Sequence, residues 1–320
     1  MLVTENHVQA TVDLAERVES GAVPRPGFVL WPENSTAVDP FADEQTKAGI
    51  SRAVAAVGVP VLVGAIVDGP RPDAVLNQGL AWLPDGSTKE RYTKRHPVPF
   101  GEYVPFRSLL SGLQIGRLDM IPRDMIAGTR TRPLDIAGTR VADLICFDVA
   151  FDDSVAAQIE NGGQMVTVQT SNATFTGTSQ QLQQFTISRA RAMETGRTVV
   201  VASTNGISGV IGPDGTVRAQ LEPRTTDIAV AHLALATNTR LQCATARSSD
   251  NSWSWQVSRL SSRRSSLADS RGCVAFAAGG ADSRDAPVRG RRHAPKLSDR
   301  GVGDRVSRRW LFGGSAPRQA

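Results

Sequence analysis

Three side chains of complementary chemistry stand at the ends of three runs that read as strands. Glu33 closes Phe28-Val29-Leu30-Trp31-Pro32, Lys94 closes Glu90-Arg91-Tyr92-Thr93, and Cys146 follows Val141-Ala142-Asp143-Leu144-Ile145. A carboxylate, an ammonium and a thiol in that order make a candidate acyl-transfer site. The thiolate is the nucleophilic form, and a free thiol has a pKa of about 8.5. It therefore needs a base to take its proton and a cation to stabilise the charge that follows. Glu33 suits the first role and Lys94 the second. Each residue alone has a plainer reading: Cys146 as a small buried hydrophobe, Glu33 and Lys94 as surface groups at strand ends.

The intervening sequence must bring these residues together. Residues 5–20 carry Val8, Val12, Ala15 and Val18 at helical spacing, residues 28–31 read as a short buried strand, residues 44–57 as a helix and residues 59–67 as a buried strand. Residues 78–83 and 88–93 flank Pro84-Asp85-Gly86-Ser87, a hairpin turn. Residues 97–133, rich in Pro and Gly, read as long loops with at most one short helix, and their stretch 98–126 suits either a lid over lipid or an ordinary surface loop. Strands resume at residues 141–147 and 165–170, a helix covers 179–194 with Gly196 as its stop, and residues 199–203 form a strand. Residues 206–217 repeat the strand–turn–strand pattern around Gly212-Pro213-Asp214-Gly215. Arg189, Arg191 and Arg197 read as a solvated helix face. The alternation predicts a layered α/β domain over residues 1–236.

Composition changes near residue 237. Residues 237–320 hold 16 of the 36 lysines and arginines but 6 of the 31 acidic residues, so this segment is net +10 and the preceding one net −5. The segment shows neither helical nor strand period and is expected to be a disordered basic tail, or the product of a displaced reading frame. A basic Ser/Arg-rich chain also suits non-specific binding to nucleic acid or anionic lipid; no specific nucleic-acid partner is expected. Cys146, Cys243 and Cys273 form no paired framework. No apolar run approaches the ~20 residues that span a bilayer, and the N-terminus does not read as a signal peptide. As written, the chain reads as soluble or cytoplasmic.

The flanking motifs narrow the reading. Trp31-Pro32-Glu33-Asn34-Ser35, the block from Tyr92 to Pro105 that contains Lys94 and Phe100-Gly101-Glu102-Tyr103, and Leu144-Ile145-Cys146-Phe147-Asp148 together resemble the nitrilase (carbon–nitrogen hydrolase) superfamily. Within it they are most similar to the catalytic domain of the apolipoprotein N-acyltransferases, as are Thr170-Ser171-Asn172, Ala190 to Arg197 and Ser203-Thr204-Asn205-Gly206. The resemblance implies an αββα sandwich with a Glu-Lys-Cys triad: Glu33 the general base, Lys94 the electrostatic stabiliser, Cys146 the nucleophile. It also implies supporting roles for Glu102, a second carboxylate near the thiol, for Asn77 and Asn172, and for Phe147 and Asp148, which stand where the family often carries Tyr and Glu. The implied reaction moves an acyl chain from a phospholipid to the thiol and then to the amine of a diacylglyceryl-cysteine lipoprotein, with no cofactor or metal. His7, His96, His232 and His293 show no ligand spacing.

The same resemblance places full-length relatives in the cell membrane and gives their domain a strand ahead of the first helix. This chain is therefore expected to lack its first strand and to be a fragment. The alternative is a soluble amidase with the same triad, hydrolysing a small amide or nitrile.

Overall fold

Strand residues alternate between two apolar environments, so both faces of each sheet have to be covered. The computed structural model describes residues 2–110, 121–222, 225–236 and 271–278. Helices α1 (Leu2–Glu19) and α2 (Glu44–Val57) pack on one sheet, in the order β12 (Asp227–Ala234), β13 (Arg271–Ala278), β1 (Phe28–Leu30), β2 (Val61–Asp68), β3 (Ala74–Trp82), β4 (Arg91–Thr93). The short β5 (Asp124–Met125) pairs with β3, after the four-residue α3 (Arg107–Leu110). Helices α4 (Asp152–Glu160) and α5 (Gln180–Thr195) pack on a second sheet of β11 (Val217–Gln220), β10 (Gly209–Ile211), β9 (Val199–Ser203), β8 (Met165–Thr170), β7 (Thr139–Ile145) and β6 (Leu134–Ile136). The order of layers is αββα.

Alternation assigns residues to layers. Phe28, Leu30, Leu62 and Tyr92 meet Val141, Ile145, Met165 and Val200 between the sheets. Val29, Val61 and Val63 turn outward to α1 and α2, and Leu144, Val166 and Val168 turn outward to α4 and α5. Helix ends follow local chemistry: the Asp43 carboxylate accepts from the Thr46 N–H at the start of α2, and Gly58 ends it in the left-handed region.

A polar seam crosses the inter-sheet core. Asp143 of β7 accepts from Thr167 Oγ1 at 2.7 Å, and Gln169 of β8 donates across the gap to the Trp31 carbonyl at 2.7 Å. The remaining oxygens, Asp143 Oδ2 and Gln169 Oε1, both crowd the Cα of Gly79, where a Cβ would fall 2.1 and 2.6 Å from them. Neither has a partner while Asp143 is ionised. Burial pushes the Asp143 carboxyl up to about 8, and the neutral acid carries a hydroxyl donor that the carboxylate lacks.

Two differences from the sequence reading concern the end of the domain and the arginines around the end of α5. Residues 271–278, assigned to the tail, are a strand inside the first sheet, parallel to β1 (Phe28 opposite Val274) and antiparallel to β12. β1 is therefore not an edge despite the strand expected to be missing. Cys273-Val274-Ala275-Phe276-Ala277-Ala278 is a six-residue apolar run that the Arg/Ser-rich average of the segment concealed. The rest of that segment, including Cys243 and His293, lies outside the described residues. Arg191 and Arg197 are also not a solvated face: both are buried, Arg191 on the Val149 and Ala150 carbonyls and Arg197 on those of Gly163 and Thr195.

Phe276 is fully buried, so Phe276→Ala is expected to cost about 3–5 kcal/mol; an unmoved urea midpoint would remove β13 from the cooperative core. Asp143 gives a pH test. Its folded-state pKa lies above the ordinary 3.8, so this contribution to stability is complete below about pH 3.8. It is lost as pH rises towards 8, at about 1.4 kcal/mol per unit. Asp143→Asn keeps a donor and is expected to abolish that slope between pH 5 and 8 in parallel urea titrations.

Candidate active site

β1 delivers Glu33. The Trp31 N–H continues the pairing with β2 by donating to the Leu62 carbonyl, and the Trp31 indole N–H donates to Thr11 Oγ1 of α1, both at 2.9 Å. Behind the next two residues lies Gly64 of β2. A Cβ there would sit 2.3 Å from the Pro32 oxygen and 2.7 Å from the Glu33 Cα, so only glycine allows this approach. The Glu33 carboxylate is 3% exposed. Its Oε1 accepts from Asn77 Nδ2 at 2.7 Å and its Oε2 from the Ser171 N–H at 2.9 Å.

Lys94 follows β4 and is 1% exposed. Its backbone N–H donates to the Asn77 carbonyl, so Asn77 positions both Lys94 and Glu33. The ammonium donates to Glu102 Oε1 at 2.5 Å and lies 3.5 Å from Glu33 Oε1. Glu102 is oriented by the Val98 N–H on its other oxygen, at 2.8 Å. Burial by itself disfavours the Lys94 ammonium, but the charges of Glu33, Cys146 and Glu102 outweigh it, and its pKa rises. Burial raises the Glu102 carboxyl against the opposing pull of Lys94. Lys94 is cationic throughout the physiological range.

Cys146 begins a 3₁₀ turn, Cys146–Ala150, directly after β7, with φ of 52°. A non-glycine residue seldom adopts this region, and the surrounding structure has to hold it there. Asp148 does so from below. Its carboxylate accepts from the Tyr92 hydroxyl at 2.9 Å and from the His96 and Arg95 N–H groups at 2.9 and 3.3 Å. The turn that carries the thiol is thus tied to the segment that carries Lys94. Arg191 of α5 secures its far end through the Val149 and Ala150 carbonyls, at 2.8 and 3.1 Å.

The sulfur accepts from Thr170 Oγ1 at 3.4 Å and from Gln184 Nε2 at 3.5 Å. Burial, then the Glu33 charge, push the thiol up to about 12; Lys94 and these two donors pull it down. Cys146 opens on a cavity of about 290 Å³ whose walls include Val98, Phe147, Asn172, Phe175 and Ile187. Asn172 also holds a positive φ, 56°.

Of the residues singled out from sequence, Glu33, Lys94, Glu102 and Asn77 form one largely buried hydrogen-bonded cluster, of which the Glu33 and Lys94 charges act on Cys146. Phe147 and Asn172 line the cavity, and Asp148 is a structural tie beneath the thiol. Sequence reasoning missed Thr170, Gln184, Gly64 and the Ser171 N–H. A signal existed for Gln184, because Gln180, Gln184 and Ile187 share one face of α5 and all line the cavity. Among the described residues, no three His, Cys, Asp or Glu side chains are grouped to hold a metal ion, and no helix is long and apolar enough to cross a membrane.

Comparison with known proteins identifies the family. Residues 9–242 match the carbon-nitrogen hydrolase family. The apolipoprotein N-acyltransferase of Mycolicibacterium smegmatis is 38% identical over 217 residues, 67% of this chain and 36% of that protein. That of Pseudomonas aeruginosa is 32% identical over 232 residues, 68% of this chain and 42% of that protein. The chain thus spans about two fifths of the length of the curated relatives it matches. In fold it is similar to the C. elegans NitFhit protein (TM-score 0.53, 21% identity, 68% of this chain and 54% of that one). It is also similar to a carbon-nitrogen hydrolase from Helicobacter pylori (TM-score 0.50, 15% identity, 67% and 80%).

The Lys94 cluster makes a direct prediction. Lys94→Met leaves Glu33 and Glu102 buried without their cation and is expected to cost about 3–5 kcal/mol at pH 8. Protonation of the stranded Glu102 carboxyl, which burial raises, should return part of that loss at pH 5. Urea titrations of both proteins at the two pH values check it, and a small, pH-independent loss contradicts the pairing.

Proposed function

This chain belongs to the carbon-nitrogen hydrolase family, and on that basis we propose that it is the catalytic domain of a lipoprotein N-acyltransferase. Cys146 is the nucleophile, Glu33 the general base and Lys94 the oxyanion stabiliser. The observation that carries the reading is the single buried cluster of Glu33, Lys94, Glu102 and Asn77 acting on a thiol at the mouth of an apolar-walled cavity. Similarity to apolipoprotein N-acyltransferases over two thirds of the chain supports the choice of reaction.

A thiol pushed up to about 12 is not a standing thiolate at neutral pH. Its proton leaves as the sulfur attacks, and Glu33 receives it. The sulfur bonds to the ester carbonyl carbon of a phospholipid, and the developing oxyanion is met by the Lys94 ammonium. The ester C–O bond then breaks, Glu33 returns the proton to the departing alkoxide, and a thioester remains on Cys146. In the second half the N-terminal amine of a diacylglyceryl-cysteine lipoprotein attacks the thioester. Glu33 takes the amine proton, the C–S bond breaks, and the thiolate recovers a proton. Glu102 holds the ammonium in place, and Val98, Phe147, Phe175 and Ile187 offer an acyl chain an apolar wall.

Incubation with phospholipid vesicles is expected to add the mass of one acyl chain to the peptide containing Cys146, and Cys146→Ala to abolish it. Subsequent addition of a diacylglyceryl-cysteine peptide should remove the adduct and yield an N-acyl product. Turnover of small amides with no lipid adduct would instead identify an amidase.

A further inference from the structure

The contacts of the sulfur include two groups to which the triad assigns no task. Thr170 is the last residue of β8, and Gln184 lies in the second turn of α5. Thr170 Oγ1 is 3.4 Å from the sulfur and 3.1 Å from Gln184 Oε1, while Gln184 Nε2 is 3.5 Å from the sulfur. The three polar groups close a ring, yet the Thr170 hydroxyl has one proton for two acceptors. We propose that Thr170 and Gln184 are a donor pair dedicated to the Cys146 sulfur, in which the Thr170 proton changes partner as the sulfur gains and loses charge.

When the sulfur is a thiol or a thioester it is a weak acceptor, and the hydroxyl donates to the Gln184 amide oxygen. When the sulfur becomes a thiolate, a charged acceptor strengthens any bond to it. The Thr170 hydroxyl then turns to the sulfur, joining the Gln184 N–H, which points there already. No heavy atom has to move, so the donors are in place before the charge forms. The thiolate appears twice in a thioester route, once as attacking group and once as leaving group, and the pair lowers the energy of both appearances.

The surroundings keep the pair in register. α5 is anchored to the Cys146 turn by Arg191, and the Gln184 carbonyl accepts from Ser188 Oγ at 3.1 Å. Thr170 is fixed by the parallel pairing of β8 with β9, where it stands opposite Ser203. Both donors counter the burial and the Glu33 charge that hold the thiol protonated. Neither belongs to the Glu33–Lys94–Glu102 network, so the sulfur is addressed from the second sheet and its helix as well as from the first.

The proposal rests on Cys146 as the reactive thiol but not on acyl transfer. It is tested with iodoacetamide, by following the alkylation rate of the Cys146 peptide by mass spectrometry between pH 7 and 10. In this range the rate tracks the thiolate fraction. Thr170→Val and Gln184→Leu are each expected to slow alkylation roughly tenfold at every pH, displacing the profile by about one unit, with Thr170→Ser restoring the parent rate. Profiles that coincide with the parent in variants of unchanged thermal midpoint overturn the proposal. A variant that merely loosened the fold would expose the sulfur and alkylate faster, the opposite direction, and that result overturns it as well. Displaced profiles in a protein that forms no lipid adduct would refute acyl transfer and leave the donor pair standing.

Discussion

A buried ammonium sets the terms for this structure. Lys94 is almost fully enclosed, and a lone charge in that position would cost several kcal/mol. It persists because Glu33 and Glu102 reach it from different segments and because each carboxylate is itself oriented, by Asn77 and the Ser171 N–H in one case and by the Val98 N–H in the other. The partners come from β1, β3, the segment after β4 and the loop beyond β8. Satisfying one cation therefore fixes the mutual placement of four regions of the chain, and the site cannot be loosened at one member without stranding the others.

The thiol is held by a different principle. Its turn has a backbone conformation that alanine-like residues avoid, and the cost is met by fixed neighbours: Asp148 tying it to the Lys94 segment, Arg191 tying it to α5. Two sheets meet at the sulfur, the first contributing the charges and the second the hydrogen-bond donors. The inter-sheet seam of Asp143, Thr167 and Gln169 runs up to this meeting point, since Gln169 is next to Thr170, and it ties β8 to the Trp31 carbonyl, two residues before Glu33. Packing close enough for these contacts requires Gly64 and Gly79, whose missing side chains leave room for Glu33 and for the seam.

Legibility in the sequence followed periodicity. α2 and β8 were readable residue for residue because Glu44–Val57 keeps one apolar stripe and four of the six residues of Met165–Thr170 are β-branched. α4 was not read, since Asp152–Glu160 is short and its buried face includes Ser154 and Gln158. β13 was hidden by its setting: eight residues of a sheet interior lie inside a segment whose mean composition is basic and polar. The arginines near the end of α5 were misplaced for a related reason. Charge suggests solvent, but Arg191 serves the fold as a donor to the Val149 and Ala150 carbonyls.

The sequence alone determined which side chains were available and roughly where each strand would end: a carboxylate, an ammonium and a thiol, each at or just past the close of a strand. It determined the alternation that sorts residues into three apolar layers. Tertiary structure decided everything that depends on distance between separated residues. Which carboxylate faces Lys94, that Thr170 and Gln184 touch the sulfur, that Asp143 is buried without a charged partner, and that residues 271–278 lie beside β1 are outcomes of packing two sheets face to face. The reason is physical: a strand's own pattern specifies which face is apolar, whereas the partner of a polar atom on that face is set by the register and approach of another strand.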